Sequence, residues 1–288
     1  MSNGSTREVA TRAVMTVTEK IEGFVERPDG RRVFFAREGT GARPAVLLIH
    51  SLGTTHRLWD PQVPALDEVF DVLRLDLRGH GGSDVGDGPY DIAALGEDAC
   101  AVLEACRVGS AHIVGLSMGG MVAQWLAAHR PERVERLVIA NSAAFIPARE
   151  LWDRNIAMAL SEGMTALAEP TMRGWLSPSF PDRHVAAMQA LVAGMEAMSP
   201  QGYADACRIL RDTDLRDDLR RIAAPTLIIN GEADGPRGRA AADGMSEGIG
   251  GSVRRELPGA GHLSNIDHPD AFTRLVRDFL TTTTTIMS

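Results

Sequence analysis

Ser117 lies in the stretch "GLSMGG", two residues from Gly115 and two from Gly119. A G-x-S-x-G pattern that follows an apolar run and opens a helical run places the serine on a tight strand-to-helix turn. There it projects above the strand ends, at a helix N-terminus whose free N–H groups and dipole favour negative charge. A serine hydroxyl attacks a carbonyl effectively only when a base takes its proton. The expected base is a histidine after the last strand, and "PGAGHLSNIDHP" supplies His262. His268 is its rival, but it precedes Pro269 at a helix start and reads as a surface or capping residue. The orienting acid belongs after a late strand, between serine and histidine in chain order. "TLIINGEAD" places Asp234 four residues past Asn230, with Glu232 as the competitor in the same loop. Asp214, Asp217 and Asp218 precede that strand and read as solvated helix charges.

Acyl chemistry also needs donors for a developing oxyanion. One is the backbone N–H of Met118, directly after the serine; the other is expected from "HSLGTTHRLWD", with Leu52 as donor and His50 and Gly53 shaping the turn. Ser51, Arg57, Trp59, Arg173 and Trp175 are the candidates for substrate contact, the two arginines for holding a carboxylate. Trp125, eight residues past Ser117, reads as core; His56 and His184 are weaker candidates for touching substrate. His80 reads as part of a Gly-rich turn, His112 as a strand start and His129 as a helix end. No H-E-x-x-H, G-x-G-x-x-G or P-loop pattern is present, so no metal and no cofactor is expected.

These residues require a scaffold of alternating strands and helices. "AVLLIH", "DVLRLD", "HIVG", "RLVIAN" and "TLIIN" are short continuous apolar runs, the mark of strands buried on both faces. "SVRREL" alternates and suits a sheet edge, and "IEGFVERPDGRRVFFARE" reads as a hairpin about Asp29-Gly30. "IAALGEDACAVLEAC" and "HPDAFTRLVRDFL" have helical apolar spacing. The spacing predicts an α/β fold with a mostly parallel eight-stranded sheet flanked by helices. Between residues 145 and 212 the alternation stops, and an Ala-, Met- and Leu-rich stretch punctuated by Pro170, Pro178, Pro181 and Pro200 predicts a helical cap. The core is then 21–144 with 213–281, and 1–20 and 282–288 read as loose termini.

The composition agrees. Over 288 residues, 44% hydrophobic content suffices for a large core, and a net charge of −8 argues against nucleic acid or an anionic membrane as partner. Cys100, Cys106 and Cys207 are too few and scattered for a disulfide scaffold, as expected of a cytoplasmic protein. No stretch resembles a secretory signal or a membrane span. A homo-oligomer stays an open reading.

The chain resembles the 3-oxoadipate (β-ketoadipate) enol-lactonases of the α/β-hydrolase superfamily. "HSLGTTHRLWDPQ", "DLRGHGGSD", "GLSMGGMVAQWLA", "WLSPSF", "GYADACRILRDTDLR", "APTLIINGEAD" and "GHLSNIDHPDAF" carry the resemblance. It implies Ser117 as nucleophile, Asp234 as acid, His262 as base, a helical cap, and a small acidic lactone or ester as the partner in aromatic catabolism. Two departures leave the exact lactone open. The family pattern carries an arginine where this chain has Gly174, and a Thr-Pro after the acid where it has "GPRGR". A carbon–carbon bond hydrolase of ring-cleavage products and a general carboxylesterase would use the same residues. A non-catalytic ligand receptor on the same scaffold would not need them.

Overall fold

The computed structural model describes residues 19–86, 88 and 90–282. Of the two expected loose termini, residues 1–18 and 283–288 lie outside the described residues. The strand β1 (Glu19–Glu26) begins two residues ahead of the expected core boundary, because its ladder with β2 (Arg32–Gly39) continues to the pair Glu19 and Gly39. Gly30, at φ 80°, makes the turn between them.

The apolar runs form β3 (Ala45–Ile49), β4 (Asp71–Leu75), β5 (Ala111–Leu116), β6 (Val134–Ala140) and β7 (Thr226–Gly231), and the alternating run forms β8 (Val253–Leu257). The sheet order is β1-β2-β4-β3-β5-β6-β7-β8. Only β2 runs against the others. Every residue of β3 and β5 is buried, as strands covered on both faces require, whereas β8 is largely exposed at the sheet edge.

The helices beside the sheet are α1 (Val63–Leu66), α2 (Ile92–Ala105), α3 (Met118–His129), α9 (Gly235–Gly248), α10 (Ser264–Asp267) and α11 (Pro269–Thr281). Asp91 caps α2 by accepting from Ala94 N at 3.0 Å. Phe272, Val276 and Leu280 line the buried face of α11 at four-residue spacing.

Between β6 and β7 the described residues hold five α-helices: α4 (Arg149–Glu162), α5 (Thr165–Trp175), α6 (Phe180–Arg183), α7 (Val185–Glu196) and α8 (Pro200–Asp212). The pairing there, among the described residues, is a single bridge between Phe145 and Asp214 where the insertion leaves and rejoins the sheet layer. α4 packs along α8, and α5 along α7. Pro200 starts α8 behind the capping Ser199, the position proline tolerates best. Pro170 instead sits inside α5, which gives up one backbone bond there without breaking. No helix among the described residues is long and apolar enough to cross a membrane.

Candidate active site

In a parallel sheet the loops after the strands gather at one edge, and ligands bind there. Leu52 follows β3, Ser117 follows β5, Asn141 follows β6, Asp234 follows β7 and His262 follows β8. Residues far apart in sequence thus reach one place.

Ser117 has φ 55° and ψ −114°, a left-handed backbone a serine adopts only when its surroundings impose it. The crowding is visible at its neighbours. A Cβ at Gly115 would collide with the Gly119 carbonyl, and one at Gly119 with the Ile49 carbonyl of β3. The turn is pinned by Ser117 N donating to the Ala140 carbonyl at 2.9 Å and by the Ser142 hydroxyl donating to the Ser117 carbonyl at 2.7 Å.

The Ser117 hydroxyl meets His262 Nε2 at 2.8 Å, and His262 Nδ1 meets the Asp234 carboxylate at 3.0 and 3.1 Å. A hydroxyl on an imidazole that is itself held by a carboxylate is the arrangement a nucleophilic serine needs. Burial works to raise the Asp234 pKa. The bond and charge of His262, together with a bond from Asn141, outweigh it and hold the carboxyl below its ordinary range. The rivals lie elsewhere. Glu232 accepts from Gly259 N at 2.9 Å and steadies the histidine loop, while His268 stands at the start of α11 and makes no side-chain capping bond.

Several groups around this cluster gave no functional signal in the sequence. Asn141 donates to Asp234 Oδ2 at 3.0 Å and to the Gly261 carbonyl at 3.2 Å, and accepts from the Ser264 hydroxyl at 2.6 Å. It reads only as the end of the run "RLVIAN"; the one available hint is a polar residue closing an apolar strand. Asp267 joins the histidine loop to the helical insertion. Its Oδ2 accepts from Gly261 N at 2.6 Å and Ser177 N at 2.8 Å, and its Oδ1 accepts from the Ser177 hydroxyl at 2.9 Å.

The two expected oxyanion donors follow β3 and β5: Leu52 lies in the loop after β3, and Met118 opens α3 directly after Ser117. Neither the Leu52 nor the Met118 N–H donates a hydrogen bond within the described residues. Among the proposed substrate contacts, Trp175 comes close: its ring centroid is 5.5 Å from that of His262, and its carbonyl accepts from Leu263 N at 2.9 Å. The Ser51 hydroxyl is buried with no bonding partner. The others have different surroundings. Trp59 is fully buried against Phe272 at 6.0 Å, because its large ring completes the core under α11. Arg57 is exposed on a short turn, and Arg173 is exposed and paired with Glu169 one helical turn back at 3.0 Å. His56 is buried with Nδ1 on Asp76 at 2.9 Å, and His184 stands beside Phe180. Trp125 stacks on His129, which pairs with Asp218 at 3.2 Å, so that aspartate is not merely solvated. No group of three or more His, Cys, Asp or Glu among the described residues could hold a metal ion.

The sheet order, the strained serine turn and the Ser117–His262–Asp234 contacts define a class, and comparison with known proteins agrees with it. The model of the alpha/beta hydrolase family matches residues 46–275, and the chain belongs to that family. Within it, the chain is a carboxylic ester or lactone hydrolase. It is 35% identical over 257 residues to 3-oxoadipate enol-lactonase 1 of Acinetobacter baylyi, covering 89% of this chain and 96% of that one. Identity to 3-oxoadipate enol-lactonase 2 of the same organism is 34% over 242 residues, 84% of this chain and 90% of the relative. The crystal structure of an enol-lactonase from Burkholderia xenovorans LB400 superposes with a TM-score of 0.87 at 35% identity, covering 90% of this chain and all (100%) of that one.

Proposed function

We propose that this hydrolase opens a small acidic enol-lactone, of the 3-oxoadipate enol-lactone kind, through a serine acyl-enzyme in the breakdown of aromatic compounds. The observation that carries the reading is the unbroken line of bonds from Ser117 Oγ through His262 to Asp234. The names of the Acinetobacter and Burkholderia relatives support the substrate class.

In this mechanism Ser117 Oγ attacks the ring carbonyl as its proton passes to His262 Nε2. The Leu52 and Met118 N–H groups receive the negative charge on the carbonyl oxygen. The ring C–O bond breaks, His262 returns the proton to the departing enol oxygen, and the enol becomes a ketone, which disfavours reversal. Water then gives a proton to His262, attacks the acyl carbonyl and releases the acid, and Ser117 recovers its proton. Asp234 holds the His262 tautomer throughout. The helices over residues 145–212 act as a cap, with Trp175 beside the reacting imidazole.

The surface positions of Arg57 and Arg173 favour a second reading, a carboxylesterase that does not select for an acid group. A spectrophotometric assay on freshly generated 3-oxoadipate enol-lactone, beside neutral esters of similar size, separates the two. Fast turnover of the lactone supports the first reading; turnover of neutral esters alone supports the second. Full activity in Ser117→Ala would defeat both.

A further inference from the structure

Leu52 is flanked by two peptide planes, and a buried imidazole holds each of them. The Ser51 carbonyl belongs to the same peptide as the Leu52 N–H. It accepts from His50 Nδ1 at 2.7 Å, from the Thr54 hydroxyl at 2.8 Å and from Thr54 N at 3.3 Å. The peptide is planar and trans, so fixing its C=O also fixes the N–H that points the opposite way. Three donors on one carbonyl polarise that peptide and strengthen its N–H as a donor. The next N–H along, that of Gly53, donates to His80 Nε2 at 3.1 Å.

The other nitrogen of each ring is also committed. His50 Nε2 accepts from Leu77 N at 2.9 Å, and His80 Nδ1 donates to the Arg78 carbonyl at 3.0 Å. A carbonyl can only accept and a backbone N–H can only donate. Both rings are therefore neutral, with the proton on Nδ1 and a bare Nε2. They are buried, 5.0 Å apart between centroids, and they tie the loop after β3 to the turn after β4. Neither bonds to Ser117, His262 or Asp234, so the mechanism above leaves them without a task.

We propose that His50 and His80 are positioning residues for the oxyanion hole: as a pair of Nδ1-protonated neutral rings they set the two peptide planes around Leu52, and so aim its N–H at the carbonyl oxygen of the substrate. The proposal rests on the reading of Leu52 as an oxyanion donor. A wrongly aimed donor weakens transition-state binding and leaves ground-state binding nearly intact, so the loss falls on kcat.

The test compares His80→Phe, which keeps the ring and removes the acceptor, with His80→Gln, whose amide oxygen can take the place of Nε2. Both are assayed on p-nitrophenyl acetate and titrated with phenylboronic acid, which forms a tetrahedral adduct on a nucleophilic serine. In His80→Phe, kcat is expected to fall about 10- to 100-fold, short of or equal to the effect of losing a whole donor. KM should change less than about threefold while boronate affinity falls in parallel with kcat, and His80→Gln should recover most of the loss. A folded His80→Phe with wild-type kcat and boronate affinity overturns the proposal. Turnover in the Ser117→Ala control would overturn the serine mechanism instead, so the two failures are distinguishable. If His80→Phe does not fold, imidazole nitrogen NMR on the wild-type chain decides. Nδ1–H with bare Nε2 on both rings is expected, and an Nε2–H on His80 overturns the proposal.

Discussion

The two walls of the site are built differently. On the sheet side, Ser117, Asn141, Asp234 and His262 stand at four strand ends and are joined by a continuous set of polar contacts, while the loop at Leu52, at a fifth, is held by a separate set through His50 and His80. From the helices between β6 and β7, the Trp175 ring lies beside His262, and Met195 of α7 packs at the Leu52 loop, where its Sδ would lie 3.3 Å from a Cβ at Gly53. Polar ties from cap to sheet side pass through Asp267 to Ser177 and from Leu263 N to the Trp175 carbonyl. Hydrogen bonds fix direction, as proton transfer requires. Apolar packing fixes volume and leaves direction loose. On the proposed mechanism the sheet side would set the chemistry and the helices between β6 and β7 would set what fits, so changes on the first should lower kcat and changes on the second should raise KM.

The largest effect belongs to Asp234→Asn, which keeps the shape and loses the charge that holds His262. We expect kcat to fall about 10³- to 10⁴-fold with little change in KM. Steady-state kinetics on any good ester substrate checks this, and a loss confined to KM would break the contrast. Met195→Ala removes a fully buried side chain from the cap. The expected cost is about 2–5 kcal/mol in urea unfolding, with a rise in KM larger than the fall in kcat. An equal fall in kcat and kcat/KM would show that the cap also aims the oxyanion loop. Asn141→Ala leaves Asp234 Oδ2 and the Ser264 hydroxyl short of a partner. It should cost about 1–3 kcal/mol of stability. It should also lower kcat while leaving KM near its wild-type value.

The last effect is a slope with pH. Burial, with the neighbouring His50 ring adding to it, pushes the His80 pKa down to about 3, and burial lowers that of His50. Unfolded histidines titrate near 6.5, so below about that pH the unfolded chain binds protons that the folded chain refuses. Stability from His80 is therefore complete above about pH 6.5 and is lost as pH falls toward 3, at about 1.4 kcal/mol per pH unit per group. The lowered carboxyls of Asp76 and Asp234 add the same sign only below about pH 3.8. Urea midpoints between pH 7 and 5 should fall in the wild-type chain and fall less in His80→Gln. Parallel curves for the two would contradict the neutral ring.

Local patterns made much of this molecule legible. The continuous apolar runs marked the buried strands, the alternating "SVRREL" marked the edge strand, and the Ala- and Met-rich stretch marked the helices between β6 and β7. "GLSMGG" located Ser117 because a strained turn leaves its demand for small residues in adjacent positions. Long side chains that choose between surface and site left no such mark. Arg57, Arg173 and Trp59 have the right chemistry for substrate contact, but their direction depends on Glu169, on Phe272 and on which side of a turn meets solvent.

The sequence by itself determined the order of strands and helices and the residue types able to attack, accept a proton and orient, since strand period, turn sterics and side-chain chemistry act over a few neighbouring residues. Only the tertiary structure decided that Asn141 braces Asp234, that Asp267 ties the cap to the histidine loop, and that His50 and His80 hold the peptides around Leu52. The bonds Gly53–His80, Leu77–His50, Ser177–Asp267 and Asn141–Asp234 join residues 27 to 93 positions apart, and such a contact is set by where the sheet order brings strand ends and loops together.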